Sequence, residues 1–151
     1  MRKLCLSVCF AGLTIPNVFA VNSLDHEQIM HVIDAYYDGM TRGDPKVLDD
    51  VLHDKWHLKT LGGPADDPLL VGGKREYIKM YTGKKQPKYP DDRHITSIDI
   101  ANNSLAIVRI DSPSRKHTVF FTLVKIGGLW SMTSKAFIAE KEANQYSVAR
   151  D

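Results

Sequence analysis

Apolar residues repeat with a helical period in the first third of this 151-residue chain and alternate with polar ones in the last third. Over residues 21–40, Ile29, Ile33, Tyr36, Tyr37 and Met40 fall on one stripe, which predicts an amphipathic helix. Asp25 stands three residues before Gln28, a capping-box spacing, with Leu24 and Ile29 at the staple positions on either side. Thr41-Arg42-Gly43 closes that helix. Asp44-Pro45 opens a second, because aspartate caps well and proline is pre-set for the first helical position. Val47, Leu48, Val51 and Leu52 supply its buried face. Residues 54–61 then alternate, with Trp56 and Leu58 on one side and His57 and Lys59 on the other, as in a short strand. Glycine pairs and prolines mark 62–73 as a loop. A third helix is expected over 74–82, with Tyr77, Ile78 and Tyr81 inward and Gly83 past its end. The polar, proline-bearing stretch 84–93 reads as a solvated loop.

From His94 the period becomes two. HITSIDI and LAIVRID are strands joined by Asn102-Asn103, a pair that tolerates positive φ. Residues 117–137 form a hairpin about Gly127-Gly128. That turn pairs Ile126 with Leu129, Lys125 with Trp130 and Leu123 with Met132. Unbroken alternation would then pair Phe121 with Ser134 and Phe120 with Lys135. It would also gather Val119, Phe121, Leu123, Trp130, Met132 and Ala136 on one apolar face. Helices followed by a run of antiparallel strands indicate an α+β fold with helices packed on one face of a bent sheet.

The N-terminus changes how charge and cysteine content are read. Arg2 and Lys3, an apolar run over 4–15 and Val18-Phe19-Ala20 make a secretory signal peptide over residues 1–20. The mature domain would be 21–151, exported to the periplasm or secreted, with no membrane association after cleavage following Ala20. Its removal lowers Lys+Arg from 20 to 18 against 18 Asp+Glu, so no formal charge favours nucleic acid. Cys5 and Cys9 leave with it, taking disulfide and thiol chemistry away.

Candidate chemistry centres on Arg109 and Asp111, two apart on one strand and therefore on one face. If Asp111 lies opposite His117, that face is the one carrying Phe121 and Trp130. Arginine, carboxylate and histidine would then line an apolar hollow, as in a small-molecule pocket. A half-buried Asp111 with a raised pKa could act as a base. Tyr36, Tyr37, Trp56, Tyr77, Tyr81, Phe121 and Trp130 could stack on a flat ring, although aromatics at helical spacing also simply fill cores. His53 and His57 have the four-residue spacing of zinc hydrolases, but they straddle a helix end and a strand start, without the motif's glutamate or a third ligand. Gly72-Gly73-Lys74 lacks the rest of a phosphate loop, and Gly-x-Ser-x-Gly does not occur. No metal or cofactor is implied.

Tyr36-Tyr37-Asp38-Gly39-Met40 leading to Gly43-Asp44-Pro45, the stretch TLVKIGGLW over 122–130, and Ser134-Lys135-Ala136-Phe137 resemble the nuclear transport factor 2-like (cystatin-like cone) superfamily. Within it, the resemblance is to the branch called putative lumazine-binding or SnoaL-like. It covers residues 24–140 and implies a pocket between sheet and helices and a homodimer through the open sheet face. These motifs describe a fold better than a function. The expectation is an exported small-molecule binder whose pocket is lined by Tyr37, Met40, Trp56, Tyr81, Arg109, Phe121 and Ser134. The ligand would be a flat aromatic or pteridine-like compound. One alternative, resembling the isomerases and cyclases of the superfamily, uses Asp111 to abstract a proton alpha to a carbonyl, with Tyr37 or His117 stabilising the enolate. Another is a dimeric interaction module without catalysis.

Overall fold

A computed structural model describes residues 18–62, 67–84 and 93–139, with side chains from Ser23 to Ile138 within them. Most of the expected leader and of the loop over 84–93 lies outside the described residues. Helix α1 runs Val18–Arg42 and α2 runs Pro45–Val51, followed by β1 (Leu52–Leu61), β2 (Leu69–Gly73) and α3 (Lys74–Tyr81). Strands β3 (His94–Ala101), β4 (Leu105–Ser112), β5 (His117–Ile126) and β6 (Leu129–Ala139) complete the chain. The six strands form one sheet in the order β2-β1-β6-β5-β4-β3. β1 runs parallel to β6, and every other neighbouring pair is antiparallel. The fold is the expected α+β cone, with three helices laid against one sheet face.

Local rules explain much of this. Asp44 accepts hydrogen bonds from the backbone N–H groups of Lys46 and Val47, capping α2 with Pro45 in its first turn. Gly127 and Gly128 both take positive φ, 60° and 84°, which sets the β5–β6 turn at Ile126↔Leu129 as expected. The buried face of α1 (Ile29, Ile33, Tyr36, Tyr37, Met40) meets Phe121, Leu123 and Met132 on β5 and β6, and Ala106, Val108 and Ile110 on β4, in one core. Gly39 brings α1 close to α2, because a β-carbon there would stand 3.1 Å from Leu48.

Three expectations give way. The first helix does not start at Asp25: that residue lies inside α1, and its buried carboxylate accepts hydrogen bonds from Lys125 and from Trp130 Nε1 (3.1 Å). A tertiary partner has taken the oxygen that a cap would have used. Part of the glycine-rich loop, Leu69–Gly73, is an edge strand on β1; Leu69, Leu70 and Val71 are all exposed, so no alternation betrays it. Finally, β6 contains a bulge. Leu123 pairs with Met132 but Thr122 pairs with Ser134, leaving Thr133 as an extra residue whose hydroxyl donates to Thr122 O at 3.0 Å. Beyond it Phe121 faces Lys135 and Phe120 faces Ala136, one residue from the unbroken register.

Candidate functional site

A side chain's face changes with every one-residue step along a strand, so the bulge decides what points into the cone. Met132 faces inward before it. After it Ser134 faces outward with its partner Thr122, and Lys135 faces inward beside Phe121. The side chain that unbroken alternation puts on the far face therefore enters the core, where Lys135 is 8 % exposed.

Lys135 Nζ donates to the Tyr36 hydroxyl at 3.0 Å. The Tyr36 and Tyr77 hydroxyls are directly hydrogen-bonded, and Tyr77 donates onward to Met40 Sδ at 2.7 Å. The rings of Tyr36, Phe121 and Phe137 surround the amine, with centroids 5.3, 5.9 and 5.0 Å from Nζ. Among the described residues no carboxylate reaches it. Burial, helped by the charge of Arg115, pushes the Lys135 ammonium down from 10.5 to about 7. Burial also drives the Tyr77 phenol well above 10.0, so that hydroxyl stays protonated.

Lys135 lines a cavity of about 270 Å³ together with Tyr37, Leu58, Tyr77, Met80, Tyr81, Arg115, His117 and Phe137. Four aromatic rings and two aliphatic chains form most of the wall; three basic side chains form the rest, with no acid in the lining. Arg93 lies over the Tyr37 ring, 4.0 Å from its centroid, adding another positive charge beside the wall. Larger hollows of about 660 and 530 Å³ lie among charged side chains, the first around Lys74 and the second outside the sheet around Arg109. They offer less apolar enclosure than the cone.

The sequence-chosen residues divide by location. Tyr37, Tyr81 and His117 line the cone cavity. Met40, Trp56 and Phe121 are buried in the core around Tyr36 and Tyr77. Arg109, Asp111 and Ser134 point to the opposite face. For Arg109 and Asp111 the inward placement is corrected by register: Ser112, not Asp111, stands opposite His117, so Asp111 pairs with Thr118 and Arg109 with Phe120. The bulge turns Ser134 outward. Asp111 accepts from Thr118 Oγ1 (2.6 Å), Thr96 Oγ1 (2.7 Å) and Arg109 Nε (3.3 Å). These partners, Thr118 foremost, hold its carboxyl below 3.8, in place of the raised value expected. The His53–His57 pair assembles nothing further: His53 Nδ1 accepts from its own turn at Lys55 N, and among the described residues no group of three His, Cys, Asp or Glu could hold a metal ion.

Lys135 and Arg115 went unmarked as site residues in the sequence. Lys135 alternates outward until Thr133 is counted as a bulge, and Arg115 sits in the short 3-10 turn Pro113–Arg115 between β4 and β5. Tyr36 and Tyr77 stood among the aromatics, but their hydroxyl pairing depends on how α3 docks against α1.

A family profile described as putative lumazine-binding matches residues 24–138. The chain belongs to that family. Solved structures of nuclear transport factor 2-like proteins share its fold. One of unknown function from Silicibacter pomeroyi is 19 % identical with a TM-score of 0.63, covering 77 % of this chain and 96 % of its own. A protein with a cystatin-like fold from Novosphingobium aromaticivorans is 12 % identical with a TM-score of 0.61, covering 93 % and 99 %. A putative scytalone dehydratase from the same organism is 16 % identical with a TM-score of 0.56, covering 78 % and 85 %. At these identities the likeness is one of fold. No curated protein matches the chain.

Proposed function

We propose that this protein is exported and binds a small, flat molecule in the cone cavity, with an anionic or carbonyl group turned toward Lys135, Arg115 and His117. The supporting observation is the lining itself: aromatic walls with a basic side and no described acid. Apolar enclosure with a few convergent polar groups suits a ligand with a flat body and one polar edge. The family's lumazine label fits that chemistry, since a pteridine dione offers a planar ring and carbonyl oxygens. Fluorescence titration with lumazine and with 4-methylbenzoate tests it. One of the two should bind once per chain, Tyr81→Ala should weaken binding about tenfold or more, and Asp111→Asn should leave it unchanged. Binding abolished by Asp111→Asn and untouched by Tyr81→Ala would put the ligand on the outer face and refute the reading.

The outer face favours a second property, self-association. Leu105, Ile107 and Phe120 are exposed there at 40–46 %, and Phe120 borders an apolar hollow with Leu61, Leu69, Ala136 and Ile138. We propose a homodimer through this face. Sedimentation equilibrium should give a dimer for the wild type and a monomer for Phe120→Glu; a wild-type monomer at all concentrations would refute it.

A further inference from the structure

A lysine is seldom buried without an acid, because the ammonium loses its hydration and regains little. Lys135 lies under the sheet with one tyrosine hydroxyl as its hydrogen-bond partner and three aromatic rings around it. Methionine would fill that volume at less cost, so the amine calls for a use beyond packing. Lys135 lines a cavity with basic groups at Arg115 and His117, where an anionic substituent of a ligand would be held. Burial disfavours a protonated amine, as does the charge of Arg115, and a free amine carries a lone pair.

From this placement we infer that Lys135 is a covalent site, its amine condensing with an aldehyde or ketone that carries a carboxylate or similar anion. This rests on the cone cavity being the ligand site, and it specifies the ligand's reactive group. The Nζ lone pair forms a bond to the carbonyl carbon while the carbonyl π pair moves to oxygen. A proton passes from nitrogen to that oxygen, giving a carbinolamine. Protonation of the hydroxyl then lets it leave as water, the nitrogen pair forms the C=N bond, and loss of the proton from nitrogen returns the one that was used. One carbonyl and one amine give one imine and one water, with no oxidant or reductant. The Tyr36 hydroxyl, 3.0 Å from Nζ and bonded to Tyr77, is placed to pass protons in these transfers.

Relative rates set the expected size of the effect. An amine with a pKa of about 7 is roughly half free at neutral pH, about a thousandfold more than an ordinary lysine. Lower basicity costs nucleophilicity, and a slope near one half leaves an advantage of about 30-fold. The experiment treats the folded wild-type protein at pH 7 with 4-formylbenzoate and cyanoborohydride, then locates each reduced adduct by peptide mass mapping. Expected is one fast, saturable adduct at Lys135, about 30-fold faster than at exposed lysines and blocked by 4-methylbenzoate. Lys135→Arg should leave only the slow background, and mapping the wild type decides the question even if that variant misfolds. Uniform labelling of exposed lysines, with 4-methylbenzoate still bound, overturns the covalent role while sparing the binding site. Absence of both binding and a Lys135 adduct overturns both.

Discussion

Replacing Lys135 with methionine should stabilise the protein, and the gain should fade as pH rises. Methionine keeps the unbranched chain, removes the ionisable group and breaks the bond to Tyr36, which retains Tyr77. The folded ammonium titrates near 7 against 10.5 unfolded, so between these values the unfolded chain binds more protons. Wild-type stability must therefore rise with pH across that window. At pH 7 the burial penalty amounts to about 4 kcal/mol, at pH 9 to about 2, and by pH 10.5 it is nearly gone. Losing the hydrogen bond returns about 1 kcal/mol to the wild type. The variant should thus gain about 3 kcal/mol at pH 7 and about 1 at pH 9. Urea unfolding of both proteins at pH 7, 8 and 9 reads this directly, because contributions from other titrating groups cancel in the difference. Equal differences at all three pH values, or a variant less stable throughout, would refute a neutral buried lysine.

Asp25 should show a dependence of the same sign in an acid window. Its folded pKa is held below 3.8, chiefly by the hydrogen bond from Lys125, so the stability it brings is present above that value and is lost as pH falls through the folded one. Asp25→Asn should cost about 2 kcal/mol at pH 7, with wild type and variant converging in acid, measured by urea unfolding at pH 7 and 3. Gly43 and Gly128 both have positive φ, but a β-carbon at Gly43 would stand 2.8 Å from Lys84 N and Tyr81 O, while one at Gly128 meets nothing within 4 Å. Gly43→Ala should therefore cost about 3 kcal/mol and Gly128→Ala about 1, compared by thermal melting. Equal losses would mean that the close approach between α1 and the end of α3 carries no weight.

Element order apart from β2, two turns of the β-meander and the α2 cap were legible because each depends on a few adjacent residues. Asp44-Pro45, Asn102-Asn103 and Gly127-Gly128 all carry their conformation locally. The site was less legible because it depends on phase. Reading Asp111 opposite His117 was off by one residue, enough to move Arg109 and Asp111 through the sheet. An uncounted bulge at Thr133 did the reverse for Lys135, drawing in a residue that alternation puts outside. No local pattern announces that bulge: Ser131-Met132-Thr133-Ser134 alternates acceptably in either phase. The edge strand Leu69–Gly73 escaped for another reason, since both of its faces are open and its glycines resemble a turn. Asp25 had a sound capping pattern, yet Lys125 and Trp130, a hundred residues away, took its carboxylate.

The most direct measurement is the titration of Lys135 itself, by carbon-13 NMR of protein labelled at its lysine side chains, with Lys135→Arg to assign the resonance. A midpoint near 7, well below every exposed lysine, is the result expected from an amine buried under the sheet without an acid. A midpoint above 10 would place the ammonium in water or beside a carboxylate, and the cone cavity would lose the group on which its proposed chemistry depends.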